Sequence, residues 1–190
     1  MLGEDQKNRP QRLAWAVTGS GHFFRESLEL MARFAPLDLF ISKAAAEVVR
    51  QYDQDFTSLP KGVRLFKDNS ASAVPVGKFY HGEYHSLVLA PATSNTIAKC
   101  VVGISDSLPT NLFAQAGKCR VPTIVFACDT APELLTEAPS EMVTVWPRTI
   151  DLVNVERLKE FAGVTVVDSM AQLEQAIASR LTEAANGHGR

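Results

Sequence analysis

The sequence predicts a three-layer α/β fold, an open parallel sheet with helices on both faces. Three observations predict it. Short apolar runs alternate with segments whose apolar residues recur at helical spacing. The run 87–89 is apolar throughout and the run 122–127 is apolar but for Thr123, as suits strands covered on both sides. The runs also end in small hydroxyl or glycine residues where a helix should begin, so each strand hands over to a loop and then to a helix.

The elements follow in order. Residues 1–11 are a polar lead-in. Residues 13–17 are a strand ending in Thr18-Gly19-Ser20-Gly21, and 23–34 are a helix on the spacing of Phe24, Leu28 and Met31. Residues 37–41 and 43–52 repeat the pair. The stretch 53–85 is rich in Gly, Pro, Ser, Lys and Asp and has no clean period. It reads as a long excursion with one short helix, and loops of that length are often functional. The apolar run 86–90 is a buried strand, and 96–102 and 109–116 are helices, with Gly117 as a stop. Residues 122–127 are the next strand. Residues 142–146 and 164–167 are short strands, and 155–161 and 170–181 are helices. The whole reads as one Rossmann-like, flavodoxin-type domain over 1–190, with 1–11 and 183–190 as mobile margins.

The bulk properties narrow the function. The chain has 190 residues, 46% of them hydrophobic, enough for one buried core. Nineteen basic residues against 21 acidic ones leave a net charge of −2 with both signs scattered, which implies no nucleic acid and no membrane as partner. No apolar run approaches the roughly 20 residues needed to span a bilayer, and the polar N-terminus lacks a secretory signal. Cys100, Cys119 and Cys128 show neither paired nor zinc-ligand spacing and read as reduced thiols of a cytoplasmic protein.

Ligands of such sheets bind at the carboxyl ends of the strands. Those ends are Thr18 to Gly21, Ser42-Lys43, Ala90 to Thr96 and Cys128-Asp129-Thr130. Small hydroxyl residues and backbone N–H groups at helix starts suit a phosphate and a polyol. Each piece also has a plainer reading. Thr18 to Gly21 is a phosphate loop or a tight turn capped by Ser20. Ser42 reads as an N-cap, Asp106 as the cap of a helix starting at Ser107, Cys128 as a buried small apolar residue, and Asp129 as a turn residue before a general acid. His22, His81 and His85 read as surface or capping residues. Phe79, Tyr80 and Tyr84 form a lid over a planar ligand, a subunit contact or local core.

The order Pro91-Ala92-Thr93-Ser94-Asn95-Thr96 resembles a flavin-binding motif, Pro-Ala-Ser-Ala-Asn-Thr, of the homo-oligomeric flavin-containing cysteine decarboxylase superfamily. Ile97-Ala98-Lys99 and Gly103-Ile104-Ser105-Asp106-Ser107-Leu108 are similar to its continuation. The resemblance runs over about residues 13–130 by order of elements. It lies with the dihydromethanopterin reductase and archaeal flavoprotein branch. It implies FMN, with Thr18, Gly19, Ser20 and Gly21 near the ribityl phosphate and Ser42 on the phosphate. Pro91, Ala92 and Thr93 to Thr96 would hold the ribityl and ring edge, and Asp106 belongs to the same set.

It further implies a homo-oligomer built on trimers and an FMN-dependent oxidoreductase. The reaction would carry a hydride to a dihydropterin substrate, dihydromethanopterin giving tetrahydromethanopterin. Asn95 and Asp129 are the catalytic candidates, and NAD(P)H or a small redox protein is the electron donor. No metal is implied. The alternatives are an electron-transfer flavoprotein between redox proteins, a flavin-dependent decarboxylase and a non-catalytic flavin carrier. The decarboxylase signature, Pro-x-Met-Asn with a downstream Cys, is missing.

Overall fold

The computed structural model describes residues 11–51, 56, 58–69, 73–138 and 140–187. Six parallel strands form the sheet: β1 (Arg12–Val17), β2 (Leu37–Ile41), β3 (Arg64–Lys67), β4 (Tyr84–Ala92), β5 (Thr123–Ala127) and, last in the chain, β8 (Val164–Val167). Their spatial order is β3-β2-β1-β4-β5-β8, so the direction of winding reverses between β1 and β4. That reversal opens a crevice beyond the strand ends, where ligands of doubly wound sheets bind.

Alternation along each strand builds the two outer layers. Leu13, Trp15 and Val17 of β1 face one core with Phe24, Leu30 and Met31 of α1 (Phe24–Arg33). Ala45 and Val49 of α2 (Lys43–Gln51) and Leu173 and Ile177 of α7 (Met170–Gly187) complete that layer. Ala14 and Ala16 face the other core. There they meet Ile97 of α4 (Ser94–Val102), Leu112 of α5 (Leu108–Lys118) and Leu158 of α6 (Thr149–Lys159). Full burial of each such side chain stabilises by about 1.5–3 kcal/mol, which is why this alternation fixes the register of β1.

Several boundaries differ from the sequence expectation. The excursion over 53–85 contains an edge strand, β3, and the short helix α3 (Ala73–Gly77). β3 is half exposed, so its run is too short and polar to read as a strand. α5 runs through Gly117 to Lys118, because the chain turns at Arg120, whose φ is 55°. α6 starts at Thr149 rather than 155. Its first turn is polar, and Asp151 accepts the Arg148 N–H at 2.9 Å. The run near 142 is β7 (Met142–Val145), paired antiparallel with β6 (Leu134–Glu137) in a hairpin outside the main sheet. α7 continues to Gly187, and the expected margins at 1–10 and 188–190 lie outside the described residues. Among the described residues no helix is long and apolar enough to cross a membrane.

One polar cluster lies at the other end of the sheet. Asp38, fully buried near the start of β2, accepts from Arg12 at 2.8 Å, from Arg64 at 2.6 and 2.7 Å, and from Tyr84 Oη at 2.6 Å. Lys78 adds a fourth partner at 3.3 Å. Burial raises the Asp38 pKa, but the hydrogen bonds from Arg64 and Tyr84 and the nearby cations outweigh it and hold the carboxyl below its ordinary value. Phe79 and Tyr84 are core residues here and Tyr80 hydrogen-bonds Gln115 at 3.0 Å, so the three aromatics form no lid.

Candidate functional site

The carboxyl ends of β1 and β4 are tied by one threonine. Thr18 donates its Oγ1–H to the Pro91 carbonyl at 2.8 Å and accepts the Thr93 N–H at 2.9 Å. Trp15 donates its indole N–H to the Ala90 carbonyl at 2.8 Å. The β4–β5 register shifts between Leu89 and Ala92, and this irregularity accommodates a proline in a central strand. The Ala90–Pro91 peptide is cis. Pro91 and Ala92 therefore belong to the buried strand and line no described cavity; they set the path of the loop.

Thr93 then caps α4, accepting the Thr96 N–H at 3.2 Å, with the two hydroxyls 3.0 Å apart. Asn95, one residue into that helix, is exposed, and its amide has no hydrogen-bond partner among the described residues. Ser94 turns the other way and donates its Oγ–H to Asp129. Asp129 is thus joined to the motif loop rather than being a simple turn residue.

A cavity of about 390 Å³ opens between these ends. Thr18, Gly19, Ser42, Thr93, Asn95, Thr96 and Asp106, all named as candidates by the motif reading, line it. Ser42 caps α2, accepting the Ala45 N–H at 2.9 Å. The N–H groups of Lys43 and Ala44 have no acceptor among the described residues, and both residues line the cavity. Gly19 packs against this helix start: a Cβ there would lie 2.5 Å from Ala44 Cβ and 3.0 Å from the Ala44 carbonyl carbon. A second cavity of about 320 Å³ shares Gly19 and Thr93 with the first. Ser20, Gly21, His22 and Asp129 line it, with Leu134, Thr136 and Glu137 of the hairpin as its far wall.

Three expectations need correction. Asp106 does not cap α5; it pairs with Lys99 at 2.8 Å, which holds its carboxyl below the ordinary value, while Ser107 takes the cap position and its N–H donates to Thr110 Oγ1 at 3.1 Å. Ser20 does not cap α1. Its Oγ accepts the His22 N–H at 3.2 Å, and Phe23 occupies the cap position. His22 is half-buried and lines the second cavity rather than the surface. Cys128 is buried as expected, and burial pushes its thiol up to about 12.

Lys43 lines the first cavity as part of the expected Ser42-Lys43 strand end, whereas Asp68, Lys99 and the hairpin residues were not expected at the site. Asp68 and the hairpin belong to segments without a readable period.

A crevice at the reversal of a parallel sheet, lined by hydroxyls and open helix starts, defines a phosphate-and-polyol site. The family model described as Flavoprotein matches residues 2–186, and the chain belongs to this family, that of the homo-oligomeric flavin-containing cysteine decarboxylases. The crystal structure of Burkholderia xenovorans DmrB in complex with FMN, described as a cubic protein cage for redox transfer, is similar over 93% of this chain and 98% of that one. Its TM-score is 0.84 and its identity 53%. A dihydromethanopterin reductase (acceptor) of Methanosarcina mazei is 38% identical over 142 residues, 68% of this chain and 59% of that protein. The chain therefore matches about three-fifths of that relative's length. An uncharacterised protein of Methanocaldococcus jannaschii is 34% identical over 179 residues, 87% of this chain and 94% of that protein.

Proposed function

We propose that this chain is an FMN-dependent reductase that carries a hydride to a dihydropterin of the methanopterin type. The observation that carries the reading is the pair of joined cavities at the β1–β4 reversal. One has the chemistry of a phosphate and ribityl site, and the other lies beside it with room for a second molecule. The likeness to DmrB and to the Methanosarcina reductase supports the same reading.

The residues present fit FMN. The Lys43 and Ala44 N–H groups and the Ser42 hydroxyl offer donors to a phosphate at the positive end of α2. Thr93 and Thr96 offer hydroxyls to a polyol, and the Asn95 amide is open to the polar edge of a ring. When bound, FMN supplies two-electron chemistry, accepting a hydride and passing it on. The protein's part is to seat the two planar molecules, exclude water and fix the charges around them. Asp129, held by Ser94, sets the polarity of the second cavity.

No cysteine lines either cavity among the described residues. Together with the missing flap signature, this disfavours the decarboxylase alternative. The electron donor is NAD(P)H or a small redox protein, and the chain self-assembles in multiples of three. Exposed Leu135, Met142 and Trp146 on the hairpin offer apolar surface for that assembly.

The test is anaerobic. The purified protein is loaded with FMN, reduced with NADPH or dithionite, and mixed with a dihydropterin. Return of the oxidised flavin spectrum with formation of the tetrahydropterin is expected. A reduced flavin that the dihydropterin leaves unchanged overturns the reductase reading, and a protein that takes up no FMN overturns the cofactor.

A further inference from the structure

The second cavity contains an imidazole to which the motif assigns no part. His22 follows the glycine loop and lines the cavity with Asp129, Thr136 and Glu137. Its ring meets Phe23 edge to face, with centroids 4.2 Å apart and planes at 68°. Phe23 is itself left-handed, at φ 52° and ψ 29°. That conformation is unfavourable for a bulky residue. The edge of Phe126, 5.4 Å away between centroids, packs against Phe23 and holds it there. Backbone in such a conformation persists where its surroundings over-determine it, and it concentrates at functional positions.

The two ring nitrogens of His22 are not equivalent. Nδ1 lies 2.9 Å from Thr136 Oγ1 on β6. Nε2 has no hydrogen-bond partner among the described residues. With Nδ1–H donated to Thr136, Nε2 is the atom that takes up and releases a proton.

We propose that His22 Nε2 delivers the proton that accompanies hydride addition to the dihydropterin, with Thr136 as the residue that positions the ring. This rests on the reductase reading. The reaction reduces a carbon–nitrogen double bond. Carbon receives two electrons and one hydrogen, both drawn from the reduced flavin, and nitrogen receives the His22 proton. The imidazolium becomes neutral imidazole, keeping its Nδ1–H on Thr136, and recovers its proton from solvent.

The charged groups around the ring set its pH dependence. Burial lowers the His22 pKa, while Asp129 and Glu26 raise it, and the balance is a lowering. Glu137 stands on the hairpin wall, 3.8 Å from Arg25, and Arg148 is close enough to feel Asp129. The acid form therefore dominates only below the lowered value and is lost as pH rises through it, before the ordinary imidazole range is reached.

The test follows reoxidation of the pre-reduced, FMN-loaded oligomer by a dihydropterin in single turnovers across pH. In the wild type the rate falls as pH rises. His22→Gln keeps its FMN content and its reduction by dithionite, reoxidises about 100-fold more slowly, and no longer shows that fall. A second readout needs neither turnover nor a variant. Acylation of His22 by diethyl pyrocarbonate, mapped by peptide mass spectrometry, should rise with pH at the midpoint of the kinetic fall. Thr136→Val should displace both midpoints together. A wild-type rate and pH profile in His22→Gln, or an acylation midpoint that does not match the kinetic one, overturns the assignment. A wild-type protein that no dihydropterin reoxidises removes the reductase reading first, before any variant is compared.

Discussion

Replacing Gly19 by Ala should damage both the proposed phosphate end of the site and the fold. The new Cβ would sit 2.5 Å from Ala44 Cβ, 3.0 Å from the Ala44 carbonyl carbon and 3.3 Å from its Cα. Two of these atoms are backbone of the first turn of α2, so no side-chain rotation relieves the clash. The loop after β1 or the start of α2 has to move by several tenths of an ångström. Overpacking of this kind costs about 1–3 kcal/mol. The displaced turn holds the unpaired Lys43 and Ala44 N–H groups and the Ser42 cap. If the proposed cofactor is bound through them, FMN affinity should fall by at least tenfold while the apoprotein loses about 2 kcal/mol. Quenching of FMN fluorescence on titration gives the first quantity, and urea unfolding of the apoprotein gives the second. Ala44→Gly in the same chain removes the nearest atom and leaves the 3.0 and 3.3 Å contacts. It should restore part of both losses, although glycine in a helix costs up to about 1 kcal/mol. A Gly19→Ala protein that unfolds and binds FMN like the wild type refutes the packing argument. A stability loss with unchanged affinity refutes the placement of the ligand on α2.

Three further outcomes follow. Asp38→Asn should cost about 3 kcal/mol in urea unfolding, because Arg12, Arg64 and Lys78 lose their common partner. Arg64 is 46% exposed and recovers water, which keeps the value at the low end of the buried-pair range. Since the folded Asp38 pKa is depressed, its contribution is present above the unfolded carboxylate value, about 3.9, and is lost as pH falls through the folded one. The acid limb of the wild-type stability curve should therefore be shallower in Asp38→Asn. Thr18→Val keeps the shape of the side chain but strands the Thr93 N–H and leaves the Pro91 carbonyl with only the Thr18 backbone N–H, at 3.2 Å. It should destabilise by about 1–3 kcal/mol on thermal or urea unfolding. Asn95→Ala, whose wild-type amide makes no hydrogen bond among the described residues, should leave unfolding unchanged and lower FMN retention or turnover. Unchanged flavin content and turnover would remove Asn95 from the site.

Strands with two buried faces were legible because their sequences have to be apolar. Leu37–Ile41, buried at every position, appears at the expected residues. β3 was not legible. It lies at the edge of the sheet, where Arg64 and Lys67 face water and no continuous apolar run is required. The hairpin was half legible for a related reason. Met142 and Leu135 are exposed, so their apolar character records a surface rather than a core. Local period reports burial within one chain, and elements whose apolar faces look outward give it no consistent signal.

The site divides along the same line. Thr18, Ser42, Thr93 and Asn95, which line the first cavity, were candidates from sequence because strand ends and helix starts leave a local signature of small hydroxyl and amide residues. His22 was not, because its position depends on Phe23, Phe126 and Thr136, which lie up to 114 residues away in sequence. No window around residue 22 contains that information. The motif thus marks the wall of the first cavity, which is built from backbone and short side chains of successive strand ends. The second cavity is closed by a hairpin that the sheet itself does not require. A family that keeps the first wall and exchanges the second can hold one phosphate-bearing ligand while changing the molecule seated beside it. Under the proposed function, the hairpin and His22, rather than the Pro91-to-Thr96 loop, would then decide which second molecule is seated.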